Sequence, residues 1–134
     1  MRAVDTSVAV AAFGEWHEQN EPARAVLDEG AALPAHCLLE TYSVLTGFPP
    51  PHRAAPQLVE EWLKGRFSAI LPPPPAEEHL KLVSILASAR RSGGSVYDGL
   101  VALTVRHAGG SLVTADERAS AIYELVGVDW EMLG

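Results

Sequence analysis

Several signals are missing from these 134 residues, and each gap removes a class of protein. There is one cysteine, Cys37, so no internal disulfide can form. The N-terminus also lacks a basic, then apolar, then small-residue leader pattern, and the expected location is therefore cytoplasmic. No apolar run approaches the roughly 18 residues of a membrane span, so no membrane role is expected. Positive charge is scarce: 10 Lys and Arg against 17 Asp and Glu give a formal net charge of −7. That balance argues against a broad basic surface that grips nucleic acid by counterion release. It leaves room for a nuclease whose clustered acids hold metal ions, because the metals then supply positive charge where phosphate sits. No glycine-rich turn follows the first apolar segment, as a dinucleotide site would need. The five histidines show no paired metal-binding spacing. No lysine lies beyond Lys81, where a phosphoacceptor domain would need one.

Hydrophobic residues make up 48% of the chain, enough for a packed core. There is no repeat and no long linker, and a single domain over residues 1–134 is expected. Short apolar segments alternate with helical patterns. Ala3-Val4 reads as a strand, and Thr6-Ser7 lead into a helix that runs to Phe13. Asn20 to Gly30 reads as a helix with Asn20 as its N-cap and Gly30 as its stop. Ala31 to Leu33 reads as a strand and His36 to Thr46 as a helix closed by Gly47 and prolines. Ala54 to Lys64 is expected to be helical and Phe67 to Leu71 extended. The helix opened by Pro75 carries Leu80, Val83, Leu86 and Ala87 at helical spacing. Ser95 to Ala108 reads as a helix, Ser111 to Val113 as a strand, and Thr114 opens a short helix to about Leu125. Val126 to Val128 is expected to form a last edge strand. This alternation predicts an α/β domain: a mainly parallel, twisted sheet of four to five short strands flanked by helices.

Four carboxylates stand out, each with an ordinary structural explanation beside it. Asp5 can cap the helix that follows it. Asp98 closes Ser95-Val-Tyr-Asp98, close to a capping-box pattern. Asp116 lies inside Thr114-Ala-Asp-Glu117, a capping box in which Thr114 and Glu117 would do the capping. Glu40 is mid-helix, sharing a face with Cys37 and Val44 beside a stripe of Leu38, Tyr42 and Leu45, where a carboxylate is costly unless something offsets it. Taken together they mean more. Asp5 and Asp116 each follow a strand directly, so both belong at the same edge of a parallel sheet, where ligands bind. Four acids gathered there would repel one another, and Mg²⁺ or Mn²⁺, which prefer oxygen ligands and keep waters, would remove the conflict. Two such ions can activate a water and hold the leaving oxygen of a phosphodiester.

The opening Val4-Asp-Thr-Ser-Val8, Glu40 in the helix after the second strand, Val96-Tyr-Asp-Gly-Leu-Val-Ala-Leu-Thr104 and Leu112-Val-Thr-Ala-Asp-Glu-Arg118 resemble a PIN-domain ribonuclease of the VapC toxin type. The likeness runs through nearly the whole chain, in order. It implies a PIN-like three-layer α/β/α fold and a Mg²⁺- or Mn²⁺-dependent endoribonuclease, the toxin of a toxin–antitoxin pair, that cuts transfer or ribosomal RNA. Asp5, Glu40, Asp98 and Asp116 match the family's acidic quartet, which binds metal and carries catalysis. Thr6 and Thr114 match supporting hydroxyls. The likeness also implies a homodimer held in check by a small VapB-like antitoxin, often through a basic side chain in the acidic pocket. Arg118, close to Asp116, is a candidate phosphate contact. The alternative is a PIN-like module used only for binding or as a scaffold. Loss of acids would mark it, and all four are present.

Overall fold

A computed structural model describes residues 1–134. The chain runs β1 (Arg2–Val4), α1 (Thr6–Phe13), α2 (Asn20–Asp28), β2 (Leu33–Pro34), α3 (Ala35–Gly47), α4 (Pro56–Arg66) and β3 (Ile70–Leu71). It continues through α5 (Ala76–Ser88), α6 (Ser95–His107), β4 (Ser111–Thr114), α7 (Glu117–Val126) and β5 (Asp129–Met132). Every strand pairing is parallel. β1, β4 and β5 form one ladder and β2 with β3 another. The two meet where Ala3 bridges Ala32, with Val4 N–H donating to the Ala32 carbonyl at 2.9 Å. The strand order is therefore β3-β2-β1-β4-β5, with helices packed around it: the expected parallel α/β sheet.

This order places a topological switch between β1 and β4. The chain leaves β1 toward β2 and β3, then returns to β4 on β1's other side. In open parallel sheets the crevice beyond the strand ends at such a point is where ligands bind. Register makes the position concrete: Val4 lies opposite Val113, so Asp5 and Thr114 leave the sheet side by side. The central strands are apolar on both faces, as strands buried by helices must be. Ala3, Val4, Leu112 and Val113 are all buried, within one cluster of 32 buried hydrophobic residues.

Four expectations are corrected. Asn20 is not the N-cap of α2; Gln19 occupies that position, and Asn20 is buried. Its amide donates to the carbonyls of Ala11 and Ala12, 2.9 and 3.1 Å away, so it closes the end of α1 instead. The segment from Phe67 to Leu71 is regular strand only at Ile70–Leu71, although Ser68 N–H donates to the Ala31 carbonyl and the Ala69 carbonyl accepts from Leu33 N–H, each at 2.9 Å; Phe67 lies outside the ladder with its ring T-shaped against Trp62. The last strand is not Val126 to Val128. Gly127 adopts a left-handed φ of 87° that stops α7, and β5 begins at Asp129. On α5 the buried positions are Leu82 and Leu86, while Leu80 and Val83 face outward. The close approach explains the choice: a Cβ added at Gly99 of α6 would lie 3.0 Å from Leu82 Cδ1.

Candidate active site

Each acid reaches the switch point by a different local device. Asp5 N-caps α1: its Oδ1 accepts from Val8 N–H at 3.3 Å and from Ser7 Oγ at 2.5 Å. Its Oδ2 accepts from Tyr123 Oη at 2.7 Å. The carboxylate is only 4% exposed. Burial pushes its pKa up, and the hydrogen bonds from Ser7, Thr114, Tyr123 and Val8 pull it back. Tyr123 itself is 1% exposed, and burial together with the Asp5 charge pushes its hydroxyl up, so it remains a neutral donor.

Asp116 N-caps α7 with its own side chain, which accepts from Arg118 N–H at 2.9 Å. The capping box expected from Thr114 and Glu117 is not what forms. Thr114 Oγ1 instead accepts from Asp116 N–H at 3.0 Å, inside the tight turn. Ser7 Oγ ties the two turns together by accepting from Ala115 N–H at 2.8 Å. Capping and convergence are thus one arrangement: the two caps at the ends of neighbouring parallel strands aim Asp5 and Asp116 into one crevice.

Glu40 sits on α3, whose buried stripe is Cys37, Thr41 and Leu45. Tyr42, expected in that stripe, is exposed. The Glu40 side chain is 44% exposed and is held by Thr6, whose hydroxyl donates to Oε1 at 2.5 Å. Asp98 lies in the first turn of α6 and caps nothing. Gly94 is the N-cap, and the Ser95 hydroxyl donates to the Ser92 carbonyl. Its carboxyl is pushed up to about 6, first by burial and then by the charges of Asp116, Asp5 and Glu40, against a lowering contribution from His36. All three other acids therefore act on Asp98 at once.

The chemistry of this donor set suits a hard divalent cation. All four groups are carboxylates and none of them pairs with Lys or Arg; the basic group beside them is His36, whose Nε2 lies 3.8 Å from Glu40 Oε2. No three His, Cys, Asp or Glu side chains are drawn together as a ready-made cage. Mg²⁺ is usually held by one or two carboxylates and keeps several waters, so the fit rests on the all-oxygen donor set and not on a formed cage. Cys37 is buried, and burial pushes its thiol up, so it is not a nucleophile. Arg118 contributes its backbone N–H to Asp116, while its side chain is exposed and makes no ion pair. Arg90 and Arg91 lie beyond the end of α5 and are exposed.

Sequence reasoning missed Ser7, Tyr123, His36 and Tyr97. His36 lies one turn before Glu40, its Nε2 3.8 Å from Glu40 Oε2, and its ring stacks on Tyr97, the residue before Asp98. Adjacency to the acids was the available signal for Ser7, His36 and Tyr97. Tyr123, 118 positions from Asp5, offered none.

With this geometry in view, the chain belongs to the PIN-domain family: the family's model matches residues 2–125. Within it, the chain is similar to the mycobacterial VapC ribonucleases. It is 44% identical to Ribonuclease VapC40 of Mycobacterium tuberculosis over 99% of both chains. It is 42% identical to Ribonuclease VapC27 of the same organism over 94% of this chain and 92% of that one. The fold matches FitAcB of Neisseria gonorrhoeae with a TM-score of 0.71, at 20% identity, over 97% of this chain and 96% of that one. It matches VapC20 of Mycobacterium tuberculosis, described as a sarcin–ricin loop cleaving toxin, with a TM-score of 0.70 at 17% identity, over 90% and 94% of the two chains. No helix is long and apolar enough to cross a membrane.

Proposed function

We propose that this protein is a divalent-metal-dependent endoribonuclease, the toxin of a toxin–antitoxin pair, with Asp5, Glu40, Asp98 and Asp116 as its catalytic and metal-binding groups. The observation that carries the reading is geometric: Val4 lies opposite Val113 in parallel register, so Asp5 and Asp116 cap the helices that leave two neighbouring strand ends, and the charges of both act on Asp98 together with that of Glu40. The full-length likeness to proteins named as VapC ribonucleases supports it. Bound among these acids, Mg²⁺ or Mn²⁺ would make a water nucleophilic near neutral pH and balance the charge on the departing oxygen of the RNA backbone.

The chain's own groups divide the remaining tasks. Asp5 is the rigid ligand, with both oxygens fixed by Ser7 and Tyr123. Asp98 and Asp116 complete the anionic crevice. Glu40 is the most open of the four; with Oε1 held by Thr6, its Oε2, which faces His36 Nε2 at 3.8 Å, would orient the attacking water and take its proton. Thr114 supports Asp116 through the turn. Arg118 is the exposed basic group nearest the crevice in sequence and offers a contact to RNA phosphate.

The proposal extends to a single domain over residues 1–134, a homodimer, a cytoplasmic location and inhibition by a VapB-like antitoxin. The surface suited to that partner is an apolar groove of about 760 Å³ lined by Leu38, Leu39, Tyr42, Leu63, Phe67 and Ile70, separate from the acids. The substrate class is single-stranded segments of transfer or ribosomal RNA. The test is cleavage of labelled RNA by the wild type and by Asp5→Asn and Asp98→Asn, with Mg²⁺, Mn²⁺ or chelator, alongside growth arrest on expression. Both variants are expected to fold and to lose cleavage and toxicity. Undiminished activity in either variant, or in excess chelator, rejects the reading.

A further inference from the structure

The imidazole of His36 and the phenol of Tyr97 lie parallel to within 1°, their centroids 5.4 Å apart. That is an offset stack between two helices, α3 and α6, at the rim of the acidic crevice. His36 is one helical turn from Glu40, and Tyr97 directly precedes Asp98. The His36 side chain is 28% exposed and has Glu40 Oε2 3.8 Å from its Nε2. Tyr97, by contrast, is 55% exposed. One large aromatic ring is therefore braced by a second ring while remaining open to solvent, beside two of the four acids.

We propose that Tyr97, braced by His36, is the shelf on which an RNA base next to the scissile phosphate stacks. The inference rests on the ribonuclease reading and adds what holds the base once the acids hold the phosphate. Single-stranded RNA presents unstacked bases, and aromatic side chains accept them with little regard to sequence. The negative face of a tyrosine ring repels phosphate but suits a base, and a ring already stacked on its inner side is fixed in orientation before RNA arrives. A shelf on the same helical turn as Asp98 sets the distance from stacked base to reacting phosphate. Tyr97 is thus a substrate-positioning residue, separate from the acids.

The experiment uses the full chain and a labelled single-stranded RNA of mixed sequence whose cut position has been mapped for the wild type. Tyr97→Ala, Tyr97→Phe and Tyr97→Trp are compared on that RNA and on copies carrying an abasic nucleotide on either side of the cut. Cleavage gives kcat and KM; binding is read by polarisation in chelator. Tyr97→Ala is expected to weaken binding and kcat/KM by about tenfold, mostly through KM, with Phe and Trp close to wild type. The abasic nucleotide at the stacked position is expected to weaken the wild type equally and to leave Tyr97→Ala unaffected. Wild-type behaviour of Tyr97→Ala, or losses that simply add in the abasic substrate, overturns the shelf. So does a loss that follows a changed sedimentation coefficient, which would assign Tyr97 to a protein contact. A wild type that binds single-stranded RNA with this dependence on the Tyr97 ring but never cuts it would overturn the ribonuclease reading and leave the shelf standing.

Discussion

Tyr123 Oη donates to Asp5 Oδ2 at 2.7 Å, joining the last helix to the first strand end across 118 positions of sequence. The bond gives a buried carboxylate a partner that is itself buried, and it fixes the carboxylate plane that faces the crevice. Tyr123→Phe keeps the ring and removes only this donor. Leaving a buried polar group without its partner costs about 1–3 kcal/mol, so the variant is expected to lose about that much unfolding free energy in chemical denaturation. Asp5→Asn made on top of Tyr123→Phe should cost less than the sum of the two changes, because both act on the same hydrogen bond. Strict additivity in the denaturation midpoints would refute the coupling.

The pKa of Asp98 predicts an unusual pH response of stability. Folding raises it from 3.8 to about 6. Between those values the folded chain holds a proton that the unfolded chain has released, so this group's contribution falls as pH rises through the window. By pH 7 the penalty is complete. Asp98→Asn should therefore stabilise the metal-free protein at pH 7 and give little gain below about pH 4. Because the carboxylate reaches solvent, the gain is discounted to roughly 1 kcal/mol. A melting series from pH 4 to 8 on wild type and variant measures it, and a variant less stable at pH 7 would contradict the crowding of charges.

Asn20 separates stability from the site. Its amide closes the carbonyls of Ala11 and Ala12 from a buried position far from the acids in sequence. Asn20→Ala leaves two carbonyls without that donor, at a cost of about 1–3 kcal/mol. Cleavage per folded molecule should be unchanged. A drop in kcat larger than the drop in folded fraction would mean that the α1–α2 junction reaches the site.

What the sequence disclosed and withheld follows a physical division. The strand–acid–helix pattern at Asp5 and again at Asp116 is local, and local patterns are legible: the Asp5 cap and the sheet edge shared by the two acids could be read directly, whereas spacing assigns the cap of α7 to Thr114 and Glu117 and it is Asp116 itself. The partners that tune those acids come from packing. Tyr123 reaches Asp5 only because α7 packs against α6 and the strands β4 and β5, and no spacing rule connects them. The outward turn of Leu80 and Val83 was hidden for the same reason. Periodicity alone favours them as well as Leu82, and the choice is made by the gap above Gly99 on another helix. Where Asn20 serves as the cap of a different helix, a side chain chose a tertiary partner over its own N-terminus. The capping-box spacing at Asp98 misleads because Gly94 ends up as the N-cap, leaving the carboxylate with no capping role and within the field of the other three acids.

Metal removal supplies the remaining prediction, and its direction is set by the same repulsion. With the acids uncompensated, the folded state carries the cost described for Asp98, and a divalent cation bound to the folded state alone offsets it. The stabilisation is about 2.7 kcal/mol when Mn²⁺ exceeds its dissociation constant a hundredfold. Its ligands must be deprotonated to bind, so the gain should grow as pH climbs from about 5 to 7, opposite in slope to the metal-free protein. Asp98→Asn should lose most of this gain while Asn20→Ala keeps it. Thermal melts with Mn²⁺ and with chelator, across pH, test the point without any measurement of RNA cleavage. A melting temperature indifferent to Mn²⁺ in the wild type would mean that the four carboxylates do not share an ion.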